Sequence, residues 1–293
     1  MITVFGASGN TGGAAASFLL QQGKKVRVVG RQRARLARLT KAGAEAAVGD
    51  LENGIFAQEA LSGAEAAYVL IPPNMQASDF RAYQRRVVNT LGDAIEAAGV
   101  GHVVLLSSIG AHHSAGTGPI VGVHEFEQRL SEIPGLNALF LRAGFFMQNV
   151  LMGLASIKAT GTYGSPMPAE AAAPMIAASD IGTYAGIRLA HLDFSGKSAV
   201  HLLGPRGLSQ TEVVETLSKA IGKPVRYAQV SLDEVEKGMR QGGLSPSVVS
   251  VFMEMNRAAG QGLVAPEQGV PVEHASTTFE SFAQNVFAPA YRS

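Results

Sequence analysis

The chain has 293 residues, 46% hydrophobic and 16% charged, with 24 Lys and Arg against 23 Asp and Glu and a net charge of +1. That is enough chain for a sizeable buried core in one large or two modest domains. The near-neutral balance shows no basic stripe of the kind nucleic-acid binding needs and excludes a whole-chain field that would steer a polyanion, although a local patch stays open. There is no cysteine, which excludes disulfides, thiolate metal sites and a cysteine nucleophile.

The sequence enters a strand at once, "ITVFG" (2–6), with no charged n-region, apolar h-region or cleavage site before it. A helix is expected over 11–22, with Gly23 as its C-cap. "KVRVVG" (25–30) is the next strand, "RQRARLARLTKAG" the next helix, and "AEAAVGD" (44–50) the third strand. "AAYVLIPP" (66–73) is a fourth strand stopped by two prolines, followed by a long amphipathic helix over 78–98. "HVVLLSS" (102–108) is a fifth strand, 119–132 a helix and "NALFLRAG" (137–144) a sixth strand. Strands apolar throughout, alternating with helices, predict an α/β, Rossmann-type doubly wound parallel sheet.

The rhythm changes after residue 144. A helix is expected near Asp180 in "ASDIGTYAGIRLAH", capped by that aspartate or by Ser179. A strand follows at 198–205, then a helix at 209–223, with Ser209 and Glu212 forming a capping box. "PVRYAQVS" is a strand, 232–260 is helical with a break near "GGLSP", and "TTFESFAQNVFAPA" is a short helix. "SPMPAEAAAPM" (165–175) is a loop or an interrupted strand. The expected division is a Rossmann domain over 1–150 and a smaller α/β C-terminal lobe over 151–293, with part of 151–205 returning to the sheet. The nearest thing to a membrane span, "ALFLRAGFFMQNVLMGLA", is broken by Arg142, Gln148 and Asn149. A soluble, cytoplasmic protein is expected, monomer or homodimer, with a small-molecule substrate and no nucleic-acid or membrane partner.

The chemistry starts at "VFGASGNTGG" (4–13). Gly6 allows a sharp turn off the strand, Gly9 lets backbone approach a pyrophosphate, and Gly12 lets the helix pack close to the sheet. The helix N-terminus offers unpaired N–H groups and partial positive charge to an anion. Ser8, Asn10 and Thr11 add short donors. A dinucleotide without a 2′-phosphate usually meets an acid at the end of the second strand. Here Arg31 stands there, with Arg33 and Arg35 behind it. A guanidinium pairs with a 2′-phosphate and stacks on adenine, which favours NADP(H) over NAD(H). Asp50 can accept from the adenine amino group, or cap the next helix, with Leu51 against the ring.

"GASGNTGG", "VGDL", "VLLSSIGA", "HEFEQRL", "LRAGFFMQN" and "ASDIG" occur in the order seen in the NmrA-like, atypical short-chain dehydrogenase/reductase family. The two C-terminal stretches "TEVVETLSKAIGKPVRYAQVS" and "TTFESFAQNVFAPA" are similar to it as well, so the resemblance covers nearly the whole chain. It implies a Rossmann domain with bound NADP(H), and places "LSS" at Ser107–Ser108 beside the nicotinamide. The wider superfamily carries Tyr-x-x-x-Lys as its proton donor. This chain has no tyrosine between Tyr83 and Tyr163, so the helix after the fifth strand cannot supply one.

His124 is the one replacement on that helix. It either holds the nicotinamide ribose or shuttles a proton, or it merely packs beside Glu127 at i, i+3. His112 and His113 lie on a Gly-rich loop and line the site mouth or stay solvated. Nothing stands at metal-ligand spacing, so no metal is expected. Ile71 and Pro72 wall the adenosine side, and Ser107 hydrogen-bonds cofactor or substrate. Phe145, Phe146 and Met147 line an apolar substrate pocket with Asn149 as polar anchor, or form core between two lobes.

Two functions fit. One is an NADPH-dependent oxidoreductase that reduces a conjugated acceptor, such as a quinone or azo compound, by hydride transfer. The other is a non-catalytic NADP(H)-binding redox sensor acting through a protein partner. An epimerase or dehydratase is a third option, but would still want a tyrosine or a placed acid–base pair.

Overall fold

In the computed structural model, which describes residues 1–293, the apolar runs of the first half become six strands separated by five helices. They are β1 (Ile2–Val4), α1 (Asn10–Gln21), β2 (Val26–Gly30), α2 (Arg33–Lys41), β3 (Glu45–Val48), α3 (Gly54–Leu61), β4 (Ala66–Val69), α4 (Phe80–Ala98), β5 (His102–Ser108), α5 (Ile120–Ser131) and β6 (Asn137–Ala143). Alternate side chains of each strand enter different cores. Val4, Val28, Tyr68 and Val104 pack against α1 and α2. Phe5, Val29, Val69 and Leu105 pack against α3, α4 and α5. Burial on both faces is why these strands read as unbroken apolar runs.

The chain continues through β7 (Phe145–Phe146), a 3-10 turn (Met147–Gly153), α6 (Leu154–Thr160), β8 (Thr162–Ser165), β9 (Ala173–Ile176), α7 (Ala178–His191), β10 (Lys197–Leu203) and β11 (Gly207–Leu208). It ends with α8 (Gln210–Ile221), β12 (Arg226–Gln229), α9 (Leu232–Gln241), α10 (Pro246–Gly260), β13 (Val272–His274), α11 (Phe279–Phe282) and α12 (Ala288–Arg292). The main sheet has eight strands, all parallel, in the order β13-β10-β6-β5-β4-β1-β2-β3. The direction of winding reverses between β1 and β4, so the crevice lies at their carboxyl ends. A three-stranded sheet (β11-β9-β7) and a two-stranded one (β12-β8) form the remainder. They share a core built from Met147, Val150, Leu217, Phe279 and Phe287. No helix is long and apolar enough to cross a membrane.

Local signals set several boundaries. The Ser209–Glu212 capping box forms, with both bonds made. The break near "GGLSP" separates α9 from α10, where Ser245 accepts from the Val248 N–H ahead of Pro246. Asp180 corrects an expectation. It sits inside the first turn of α7, whose cap position is Ala177, and the Gln148 side chain accepts from the Ala178 N–H instead. The Asp180 carboxylate accepts from the backbone N–H and hydroxyl of Thr277, at 3.0 and 2.7 Å, and so fastens the C-terminal segment to α7.

Helix α7 lies against α1 through two glycines one turn apart. A Cβ at Gly182 would fall 2.1 Å from the Thr11 carbonyl oxygen, and one at Gly186 would fall 2.9 Å from the Phe18 ring. In an ordinary helix Gly→Ala gains about 1 kcal/mol. At Gly182 the overpacking of α1, about 1–3 kcal/mol, outweighs that gain. Gly182→Ala is therefore expected to lower the urea midpoint. Gly238→Ala, on an exposed stretch of α9 with nothing within 4 Å, is expected to raise it slightly.

Candidate active site

The turn after β1 has the geometry an anion needs. Gly6 is left-handed (φ +63°), and a Cβ there would meet the Leu70 side chain at 2.8 Å. Gly9 occupies the N-cap of α1 without a side-chain cap, so the first N–H groups of the helix stay open. A Cβ on Gly12 would lie 2.6 Å from the Gly6 carbonyl oxygen. Gly6, Ser8, Gly9, Asn10 and Thr11 line one end of a cleft of about 560 Å³, whereas Gly12 lies beneath it as the contact between helix and strand. An open helix N-terminus at the mouth of a cleft, reached through a turn with no room for a Cβ at Gly6 or Gly12, fits the pyrophosphate of a dinucleotide.

At the end beyond β2, a cavity of about 150 Å³ is lined by Gly6, Ser8, Arg31, Asp50, Leu51, Pro72 and Tyr83. It shares Gly6, Ser8 and Pro72 with the cleft, so the two form one groove across the strand ends. Arg31 is exposed and enters no salt bridge in the chain, whereas Glu52 beside it is held by Arg86 at 2.6 Å. Asp50 does not cap α3. Asn53 does, and Asp50 accepts the Glu52 N–H at 3.0 Å. The Tyr83 hydroxyl donates to the Pro72 carbonyl at 2.8 Å, and burial pushes its phenol up to about 12, so it stays protonated and braces this wall.

Past the glycine turn the cleft runs between Ile71, Pro72, Leu106, Ser107, Ser108, Ile120, Val123, Phe145, Phe146 and Asn149. Ser107 on β5, Arg142 on β6 and His201 on β10 stand side by side in register. Glu127 reaches down from α5 to meet them and is 3% exposed. Arg142 donates to both of its oxygens, at 3.0 and 2.6 Å, and also pairs with Glu267. The Ser107 hydroxyl donates to Glu127 at 2.5 Å. An ionised carboxylate only accepts. The Ser107 proton is therefore committed away from the cleft, and only its lone pairs remain for a ligand. Losing one partner of such a buried pair costs about 3–5 kcal/mol.

His124 does not reach this cleft. Its Nδ1 donates to the Ala111 carbonyl at 2.8 Å, and its ring borders a shallow groove between α4 and α5 with Arg85, Asn89 and Gln128. Glu127, turned toward the sheet, is not its partner. The expected role of His124 at the nicotinamide, catalytic or cofactor-binding, is corrected: Ile120, Val123 and Glu127 carry the inward face of α5, and His124 lies beside that face. His112 and His113 stack at 3.9 Å and line neither the cleft nor its neighbouring chamber. Burial and the adjacent His113 hold the His112 imidazole below its usual range.

Two walls escape sequence reading. Met255 of α10 and Val264 after it close the cleft from the far end of the chain. A second chamber of about 480 Å³ opens behind Phe145, Phe146 and Asn149, bounded by Tyr163, Met167, Met175, Gln210 and Asn256. Neither cavity is lined by any Asp, Glu, Lys, Arg or His side chain.

The NmrA-like family model matches residues 1–282. The chain belongs to the NmrA-like family. Among curated relatives, the NAD(P)H azoreductase of Xenophilus azovorans is 30% identical over 258 residues, 87% of this chain and 86% of that protein. Solved structures share the fold of this NmrA-like chain. A nucleoside-diphosphate-sugar epimerase from Staphylococcus aureus superposes with a TM-score of 0.80 at 18% identity, covering 97% of this chain and 99% of that one. The NADPH-dependent quinone oxidoreductase of Escherichia coli in complex with NADPH gives 0.79 at 20% identity, covering 98% and 100%.

The charged network below the cleft makes stability depend on pH. His201 is fully buried, and its Nε2 accepts the Glu267 N–H at 2.8 Å. Burial first, then Arg142, lowers its pKa from the usual 6.5. The unfolded chain takes up that proton below pH 6.5 and the native one resists, so acidification favours unfolding. Glu267, held below its usual 4.5 mainly by its bond to Arg142, loses its contribution further down, as it protonates. The thermal midpoint is thus expected to fall between pH 7.5 and 5.5. His201→Gln keeps an acceptor for Glu267 and should flatten that fall, an outcome readable by calorimetry across the range.

Proposed function

We propose that this chain is an NADPH-dependent oxidoreductase that reduces a conjugated acceptor, of quinone or azo type, by hydride transfer. The observation that carries the reading is a glycine-turn cleft whose lining holds no Asp, Glu, Lys, Arg or His and which opens into a mostly apolar chamber. The names of the azoreductase relative and of the quinone oxidoreductase with the same fold support it. The dinucleotide, when bound, supplies the hydride.

The chain's own part is to bind, orient and exclude water. Gly6, Ser8, Gly9, Asn10 and Thr11 would hold the pyrophosphate, and Ile71 and Pro72 would wall the groove toward the adenosine, with Leu51 against the ring and Asp50 accepting from its amino group. Arg31, unpaired at the lip of that end, would meet a 2′-phosphate and give the preference for NADP(H) over NAD(H). Ser107 can accept from a carboxamide N–H but cannot protonate a product, because its proton is held by Glu127. Phe145 and Phe146 would face a flat acceptor, and the Asn149 amide, free of side-chain partners at the junction of the two cavities, would hydrogen-bond its polar atom. In this division, residues 1–150 hold the dinucleotide and much of 151–293 walls the substrate.

An alcohol, ketone or sugar substrate needs a placed acid or base, and the cleft lining has none. A quinone or azo group, once reduced, takes its proton from water. Purified protein is expected to oxidise NADPH when 1,4-benzoquinone or an azo dye is added. Arg31→Glu should raise the NADPH KM by ~10-fold or more, as loss of a charge-assisted bond implies, with little change for NADH. Tight NADPH binding with no turnover on any acceptor would overturn the reading in favour of a sensor.

A further inference from the structure

The second chamber holds polar groups that the protein leaves unpaired. Gln210 opens α8 and is only 7% exposed, yet its side-chain amide makes no hydrogen bond within the chain. Its own backbone N–H is taken by the Ala169 carbonyl, and the Ser209–Glu212 capping box fixes the turn that carries it. Tyr163, on β8, borders the same space. Its hydroxyl has no partner in the chain, and burial pushes the phenol up to about 12, so it remains a neutral donor and acceptor. Asn256 donates to the Phe252 carbonyl, which leaves its side-chain oxygen free. The remaining wall is mostly apolar, with Phe145, Phe146, Met167 and Met175 among its members.

The Gln210 amide and the Tyr163 hydroxyl both open on the chamber, so a ligand that displaces solvent there can pair with either. Both Gln210 and Tyr163 can donate and accept, which matches a hydroxyl group. Without a cation nearby, a carboxylate or sulfonate would be desolvated here uncompensated. Thioethers and phenyl rings favour an aromatic body over an aliphatic one.

We infer that this chamber is a distal substrate subsite, in which Gln210 and Tyr163 recognise an uncharged hydroxyl at the far end of an extended aromatic acceptor. The inference rests on the reading of the adjoining cleft as the place of reduction. It makes Gln210 and Tyr163 specificity-determining residues and predicts selection for long phenolic acceptors over compact ones.

The test compares 4-phenylazophenol with azobenzene, two probes that differ by one hydroxyl. Binding of each is titrated into protein saturated with NADP⁺, which cannot reduce them. The wild-type chain is expected to favour the phenol by roughly five- to tenfold, the loss expected from one hydrogen bond. Gln210→Leu should abolish the preference and Tyr163→Phe should reduce it, while affinity for azobenzene holds. A folding defect would weaken both probes together, and Gln210→Met offers a second variant of similar shape. Equal binding of the two probes to the wild type, or a preference that survives both substitutions, overturns the inference. Failure to oxidise NADPH with 1,4-benzoquinone would sink the proposed reductase activity instead, and the binding comparison would still decide the subsite.

Discussion

At Gly12 there is no room for a Cβ, which would fall 2.6 Å from the Gly6 carbonyl oxygen and 2.8 Å from that of Phe5. This close approach of α1 to the end of β1 sets the aim of the helix. It leaves the first N–H groups of α1 open at the floor of the crevice, since Gly9 provides no side-chain cap. The same constraint is repeated on the outer side. Gly182 and Gly186 let α7 press against α1, so a helix from the second half of the chain holds the glycine turn from behind. Asp180 then ties α7 to Thr277. The site is thus clamped between the first and last segments of the chain.

Polarity is divided sharply around the cleft. Below it, Glu127, Arg142, Glu267 and His201 are joined in one charged network laid across β5, β6 and β10, with only the His201 Nδ1 left without a partner. Above it, the cavities are bounded by apolar and neutral side chains only. Ser107 stands at the boundary, and its commitment to Glu127 decides that it faces the cleft as an acceptor. Beyond the glycine turn such an environment suits neutral, delocalised ligands, because a charged group there would lose its hydration and gain no charged partner.

The parts legible in the sequence are those whose cause is local. The strands of the first half announce themselves because both faces are buried, and the glycine turn because only glycine fits it. Ser107 and Phe145 could be assigned to the crevice because one lies at the end of β5 and the other just past the end of β6. Elsewhere the cause is distant. His124 and Glu127 share an i, i+3 spacing, but the rotation of α5 about its axis is set by packing on the sheet, and it turns Glu127 inward and His124 aside. The Glu127–Arg142 pair depends on the register between β5 and β6. β13 has three exposed residues and β8 is "TYGS", and neither carries an apolar run that would mark a strand. Met255 and Gln210 reach the cavities through the tertiary path of the second half, for which helix periodicity gives no clue.

The cleft lining offers no acidic or basic side chain, so in the proposed reduction it would supply orientation and no proton. The pH dependence of single-turnover reduction of 1,4-benzoquinone by NADPH tests it most directly. With no ionisable side chain lining the cleft, the rate constant at saturating NADPH is expected to stay level between pH 6 and 9. A sigmoidal or bell-shaped profile in that window, abolished by substitution of one side chain, would identify a protein acid or base and contradict the account.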